Sequence, residues 1–308
     1  MTETAPVLVV GEALIDIVHP PTGEPTEHVG GSPANVAKGI ARLGHPVTLA
    51  THIGCDDRGA RISDELTADG VQLTRGSVSA PRTSTATALL DDDGAATYAF
   101  EIDWRLEPHL RAVEGGHLHT GSIAVTLDPG ATSVRRLAEA SRAGATISYD
   151  PNARPAIMGE VAQARAQVEA LASFADVVKV SDEDLAWLYG PAMDPVRIAR
   201  QWNRGGPALV VVTRGGEGAI AIMRGEVTEF EAARVPVVDT VGAGDSFMAG
   251  LISGLLDQGL LGGTEARHRL TQASPAQVSS AVVRAIECAG ITVSRAGANP
   301  PTRAELGA

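Results

Sequence analysis

The sequence predicts an α/β protein with a parallel sheet and a small β-rich appendage, and three observations predict it. Short continuous apolar runs bounded by turn residues, such as Val7-Leu8-Val9-Val10 and residues 208–212, have the pattern of strands buried on both faces. From His117 onward such runs alternate with stretches of helical period, as in α/β proteins. Between residues 83 and 102 the texture changes to two β-rich runs, 83–90 and 95–102, separated by Asp91-Asp92-Asp93-Gly94. An Asp-Gly pair between two such runs is a hairpin signal.

At 308 residues the chain has room for one large domain with a small appendage. Hydrophobic residues make up 44% and charged residues 20%, an ordinary globular balance. Aromatics are only 3%, so the core rests on Val, Leu, Ile and Ala. The formal charge of −12 argues against nucleic acid or an anionic membrane as partner, because neither attracts an acidic surface. A bound polyphosphate would therefore need local cations. Cys55 and Cys288 lie outside any C-x-x-C or C-x-x-H spacing and read as buried thiols in a reducing compartment. Residues 1–6 carry no basic leader and no apolar run reaches about 18 residues, so neither a signal peptide nor a membrane span is expected, and a cytoplasmic protein is.

In chain order, residues 7–10 form the first buried strand, ending at Gly11. Residues 12–18 are more mixed, with Asp16 between Ile15 and Ile17; as a bare pattern this is a turn or edge acid. Residues 20–25 are a loop by composition. Gly30-Gly31-Ser32-Pro33-Ala34-Asn35 opens a helix that stops at Gly44, with Ser32 suited to the cap and Pro33 to the first helical position. Capping leaves the paired glycines and Asn35 unexplained. Residues 47–53 read as a strand and 58–69 as a helix. The three aspartates at 91–93 lack calcium-loop spacing and read as a solvated turn.

Residues 145–149 run as a strand into Asp150-Pro151-Asn152-Ala153-Arg154. Polar residues just past a strand's carboxyl end are where open α/β sheets hold ligands, an Asx-Pro turn being the plain alternative. His117 and His119 alternate along one strand and form no metal spacing. After a strand at 176–180, Ser181-Asp182-Glu183-Asp184 opens a helix with acids usual in a first turn. Thr213-Arg214-Gly215-Gly216-Glu217-Gly218 follows the strand at 208–212. Gly216 to Ala221 formally fits Gly-x-Gly-x-x-Ala, but that fingerprint needs a helix next, and residues 219–222 and 227–230 read as strands. A nicotinamide enzyme is thereby excluded. The absence of Gly-x-x-x-x-Gly-Lys-Ser/Thr excludes an ordinary P-loop enzyme. Residues 275–293 form a long helix, and Gly297-Ala298-Asn299-Pro300-Pro301 a loop.

The densest stretch is Val237-Val238-Asp239-Thr240-Val241-Gly242-Ala243-Gly244-Asp245-Ser246-Phe247. Two valines end an extended segment, small residues fill a turn, and Phe247, Met248, Leu251, Ile252, Leu255 and Leu256 recur at helical spacing. Gly242 to Asp245 thus sit where a loop becomes a helix. The first helical amides lack internal partners and lie at the positive end of the dipole, so the turn favours an anion such as phosphate. Asp245 reads either as a cap or as a base that takes a proton from an attacking hydroxyl beside a phosphate cradle.

Asp239 to Phe247 closely resembles the carboxy-terminal signature of the ribokinase-like (PfkB) carbohydrate kinases, and Gly30 to Asn35 resembles their amino-terminal Gly-Gly-x-x-x-Asn pattern. The two are about 200 residues apart in the family's order, and the resemblance runs from Gly11 to the Gly297 loop. It implies a three-layer α/β/α sandwich with a mostly parallel sheet, one domain over residues 1–308, and a β lid from strands within about 12–31 and 83–104. It implies Asp245 as catalytic base, Gly242, Ala243 and Gly244 as anion hole, and Asp16, Gly30, Gly31 and Asn35 as sugar-holding residues. The Asp-Pro-Asn-x-Arg loop resembles that of fructokinases and 2-keto-3-deoxygluconate kinases, with Arg154 on the substrate or the phosphate in transfer.

Thr213, Gly215 and Gly218 match a Thr-x-Gly-x-x-Gly nucleotide loop. Ser181 and Asp184 stand where many members carry Asn-x-x-Glu, a magnesium and phosphate element; Asp184 has the shorter reach. Asn299 falls in the nucleotide region, and Asp239 matches the acid beside which some members bind potassium. ATP and Mg2+ are implied, with K+ left open. The implied reaction is ATP-dependent phosphorylation of a sugar hydroxyl, with D-fructose favoured. The rival is 2-keto-3-deoxygluconate, whose carboxylate would use Arg154 or Arg105; ribose and nucleosides rank lower, since few aromatics are present to stack a base. A non-catalytic sugar sensor is the reading from another class, and it would not require Asp245 and its glycines. The lid can also pair subunits, which makes a homodimer an expectation.

Overall fold

The computed structural model describes residues 5–90 and 96–307, and the turn expected at Asp91-Asp92-Asp93-Gly94 lies outside the described residues. Strands β1 (Val7–Val10), β2 (Leu14–His19) and β3 (Thr26–Gly30) lead to helix α1 (Ser32–Arg42). Then come β4 (Val47–Ala50), β5 (Ile53–Gly54), α2 (Asp57–Ala68), β6 (Gln72–Leu73), β7 (Val78–Ala80), β8 (Thr85–Leu90) and β9 (Ala96–Glu101). Alternation begins at β10 (His117–Gly121) and continues with α3 (Gly130–Ser141), β11 (Thr146–Asp150), α4 (Pro155–Met158), α5 (Val161–Phe174), β12 (Val177–Ser181), α6 (Asp182–Tyr189), α7 (Pro195–Gly205) and β13 (Leu209–Thr213). The hairpin β14 (Ala219–Met223) and β15 (Glu226–Phe230) precedes α8 (Ala243–Asp257), α9 (Thr264–Thr271) and α10 (Pro275–Val293).

Among the described residues the large sheet has the order β15-β14-β13-β12-β11-β10-β1-β4-β6. It is parallel from β6 to β13 and antiparallel only at its β14–β15 edge. Alternation along its strands builds two cores. Leu209 and Val211 of β13 pack with α1, α8 and α10 on one face, while Val210 and Val212 pack with α5, α6 and α7 on the other. Helices on both faces explain why these strands read as continuous apolar runs. A second sheet has the order β3-β2-β8-β9; β2 and β8 are parallel and the other pairs antiparallel.

Helix α8 is buried from Asp245 to Leu256 and lies against α10 along a seam of small residues. A Cβ on Gly250 would be 2.8 Å from Ala285 Cα, and one on Gly254 2.7 Å from Ala281 Cα, so both positions need a bare backbone. Four local expectations need correction, the first being the burial of Cys55, which is exposed while Cys288 is buried. Val237 and Val238 belong to no strand and stand 67% and 64% exposed, because no neighbouring edge receives them. Ser32 is not a cap: Gly31, at φ 103°, takes the N-cap, and Ser32 is the first helical residue with its hydroxyl turned elsewhere. The strand expected over 47–53 divides, with β5 leaving to pair with β7.

Candidate active site

A cavity of about 500 Å³ opens beyond the carboxyl ends of β1, β10 and β11, between the four-stranded sheet and the start of α8. This is where an open α/β sheet presents loop residues that its own hydrogen bonding leaves available. Asp16, Gly31, Asn35, Arg154, Gly242, Gly244 and Asp245 all line it. The two signatures, distant in sequence, therefore meet.

Asp245 is 6% exposed and is gripped by three side chains. Ser32 Oγ donates to Oδ1 at 2.7 Å, Asn35 Nδ2 to Oδ2 at 2.9 Å, and Asn152 Nδ2 to Oδ1 at 3.2 Å. The carboxylate thus faces the cavity and does not cap its own helix. Beside it, the backbone N–H groups of Gly242, Gly244 and Asp245 have no partner among the described residues. Ala243 differs: its N–H bonds Thr240 O at 3.2 Å, so of the expected anion-hole amides this one is turned back into its own turn. Gly242 sits at φ 74°, a conformation that favours glycine, and a Cβ there would lie 2.6 Å from Ala298 Cβ.

The paired glycines of the first signature are explained by contact. A Cβ on Gly30 would lie 1.9 Å from Asp16 Oδ2, and one on Gly31 2.5 Å from Glu12 O. These glycines let Asp16 of β2, and the backbone at Glu12 just before it, close against the start of α1. Burial pushes the Asp16 carboxyl up to about 6, with Arg154 and His28 pulling the other way and Asp245 adding to the rise. Glu12 is 6% exposed, lines the same cavity, and has no hydrogen-bond partner for Oε2. Burial raises it to about 7, opposed by hydrogen bonds from Ser122 and its own backbone and by Arg154, and reinforced by Asp245. Arg154, an exposed side chain, donates to Asn152 Oδ1 at 2.7 Å and to the Asn152 and Ala153 carbonyls. That contact leaves the Asn152 amide nitrogen for Asp245.

The loop after β11 is held from below. Asp150 accepts from Asn152 N at 3.2 Å and from Lys179 Nζ at 2.9 Å. Asn152 adopts φ 37°, a left-handed conformation that asparagine tolerates better than most residues. Asp184 accepts from Ala153 N at 2.8 Å and from Ser181 N at 3.1 Å, while Ser181 Oγ accepts from Asp184 N at 2.9 Å, forming a capping box on α6. Both oxygens of Asp184 and the Ser181 hydroxyl are thus engaged with backbone. Among the described residues no group of three or more His, Cys, Asp or Glu is arranged to hold a metal ion. The described residues offer no protein-built metal cage, so Asp184 fits a metal only through intervening water or nucleotide oxygens.

Other expected residues stand apart from the lining of this cavity: Thr213, Gly215, Gly218, Ser181, Asp184, Asp239 and Asn299 are absent from it. Thr213 ends β13, and Gly218 packs against the backbone after β15, where a Cβ would lie 2.0 Å from Phe230 O. Gly215, at φ 50°, has open space around it. Asp239 ties the turn before α8 to the last loop, accepting from Val241 N at 3.0 Å and Gly297 N at 2.8 Å; these backbone bonds hold its carboxyl below the usual range. The Asn299 side-chain oxygen accepts from Arg42 Nη1 of α1 at 2.6 Å.

Sequence reasoning missed Ser32 as a partner of Asp245, and it missed Asn152, Glu12 and Lys179. Two signals were present: a lone lysine inside the run Val177-Val178-Lys179-Val180, and a lone acid just after the Val7–Val10 strand.

Residues 4–305 match the model of the pfkB family carbohydrate kinases. A fructokinase of Klebsiella pneumoniae is 36% identical over 262 residues, covering 82% of this chain and 85% of that protein. Among solved structures, a fructokinase double mutant of Vibrio cholerae O395 with fructose, ADP and a potassium ion bound is 27% identical, with a TM-score of 0.80 over 96% of this chain and 94% of that one. A fructokinase of Xylella fastidiosa with bound ATP is 26% identical, with a TM-score of 0.81 over the same shares.

Proposed function

Since the chain belongs to the pfkB family of carbohydrate kinases, we propose that it is an ATP-dependent kinase that phosphorylates a hydroxyl of D-fructose. One observation carries this reading: a buried Asp245 carboxylate faces the cavity beside the unpartnered amides of Gly242, Gly244 and Asp245. An entering alcohol donates its hydrogen to Asp245 in place of one of the three resting donors. As the proton passes to the carboxylate, the alcohol oxygen bonds the γ-phosphorus, the bond to the bridging oxygen breaks, and ADP leaves. The amides are aimed where charge collects on the transferring group, and the four-stranded sheet keeps out water, which competes as acceptor.

Asp16 and Asn35, with the backbone at Gly30 and Gly31, would hold the neighbouring hydroxyls. The Glu12, Asp16 and Asp245 carboxyls stand against the single guanidinium of Arg154 in the lining, which favours an uncharged sugar over 2-keto-3-deoxygluconate. Thr213, Gly215, Gly218, Ser181 and Asn299 would serve the nucleotide. Magnesium, when bound, would neutralise and bridge phosphate oxygens. A potassium ion near Asp239 belongs to the same reading, supported by the potassium-bound V. cholerae enzyme. So do a cytoplasmic location, in keeping with two unpaired cysteines, and a homodimer through the sheet that exposes Leu89 and Tyr98. Light scattering that finds a monomer removes the dimer.

A coupled assay with D-fructose, 2-keto-3-deoxygluconate, ribose and nucleosides tests the acceptor. The highest kcat/KM is expected for fructose; turnover confined to the acid or to nucleosides overturns that choice. Asp245→Asn is expected to bind sugar and ATP yet turn over at least ~100-fold more slowly. Near-normal turnover would remove Asp245 as base.

A further inference from the structure

Lys179 has no part in the mechanism above, although it is 3% exposed and its Nζ lies 2.9 Å from Asp150 Oδ2, itself fully buried. A buried ion pair is a poor device for stability, because desolvation offsets most of the attraction and neutral replacements of similar size are often as stable. The location of this pair is more informative. A Cβ on Gly244 would lie only 3.0 Å from Lys179 Nζ, so the ammonium rests against the bare backbone of Gly244, whose N–H is one of the unpartnered amides. On its other side Asp150 holds the loop that delivers Asn152 to Asp245.

We propose that Lys179 is a positioning residue for phosphoryl transfer: from beneath Gly244 its ammonium fixes the anion-hole backbone and adds positive field behind it, while its bond to Asp150 braces the Asn152 loop. The inference rests on the kinase reading of the site. The titratable groups whose charge bears on Lys179 are Asp150 of β11, which it touches, Asp184 of α6, Asp245 of α8 and His119 of β10. Burial works against the lysine's charge, but the Asp150, Asp184 and Asp245 carboxylates outweigh it and raise its pKa. Burial lowers His119 to about 3, so it adds no competing charge. Lys179 is therefore the cation built into the floor of the site, at the point where a polyphosphate would bring negative charge.

The test separates charge from folding. Lys179→Met alone strands Asp150 and is expected to destabilise the fold, so the decisive variant is Lys179→Met with Asp150→Asn. The asparagine oxygen can still accept from Asn152 N, and no buried charge is left unpaired. The double variant is expected to keep its thermal midpoint while kcat falls roughly 100-fold and both KM values stay within about threefold of the parent. A stable double variant with near-normal kcat overturns the proposal, and so does a loss confined to KM. A double variant that does not fold also overturns it, because the pair would then be structural. The parent and Asp245→Asn are measured alongside: if the parent phosphorylates none of the sugars, the kinase reading fails; if the parent is active and Asp245→Asn inactive while the double variant is normal, only the Lys179 inference does.

Discussion

The two halves of the site are built in opposite ways. On the acceptor side, Asp245 is gripped by Ser32, Asn35 and Asn152, residues 213, 210 and 93 positions away, and Gly30 and Gly31 let Asp16 and Glu12 close in. In the irregular segment leading to the turn before α8, Val237 and Val238 stand 67% and 64% exposed, and on the expected nucleotide side Gly215 and Gly297 have open space around them. The acceptor half is knit together by the chain's own hydrogen bonds and close contacts. The nucleotide half offers backbone and apolar surface that a ligand must cover. On the proposed reading, the difference teaches that discrimination among acceptors would be a property of the folded chain, whereas contact with the nucleotide would be completed by the nucleotide.

The largest effect that could break this contrast is at Gly30. A methyl at this position would lie 1.9 Å from Asp16 Oδ2, so Gly30→Ala must displace the acid. The sugar KM is expected to rise at least ~10-fold with the ATP KM unchanged, read from steady-state kinetics with each substrate varied. Equal change in both constants would mean that the halves are not separable.

The next largest effect concerns pH. Folded Glu12 keeps its proton to about pH 7, whereas the unfolded chain releases it near 4.5. Between those values the folded form binds more protons, so the residue's contribution to stability declines as pH rises through that window. Glu12→Gln removes this titration. Its stability relative to the parent is expected to improve by about 1–3 kcal/mol between roughly pH 5 and pH 8, measured by denaturant unfolding. A constant difference across that range would show that Glu12 is ionised throughout. The smallest effect is at Val238. Val238→Ser should leave stability within about 0.5 kcal/mol and alter only the ATP KM; a change in the sugar KM would erase the proposed boundary.

Much of this was legible because it is local. Buried runs gave away the central strands, and the turn from Gly242 to Asp245 announced a helix start with its own chemistry. The dinucleotide alternative fell to the same local logic, since a hairpin of β14 and β15 follows Gly218. What stayed hidden depends on partners distant in sequence. Ser32 read as a cap because serine suits that position; in the fold Gly31 takes it, and the hydroxyl reaches an acid on α8. Asn152 is visible in the sequence of its loop, but nothing local says which amide will face Asp245, so only Arg154 stands out there. Val237 and Val238 have β propensity and no strand edge to join, a case of tertiary context overriding preference.

With Gly250 and Gly254 set directly on the backbone of α10, the helix that bears Asp245 is seated like a post in masonry. A post of this kind cannot lean toward an arriving alcohol without opening a void along its whole length. Whatever travels during turnover must then be the opposite wall and the reactants themselves. Variants that alter the pace of the catalytic cycle while sparing its chemistry should accordingly arise among β2, β3, β8 and β9, and almost never along α8.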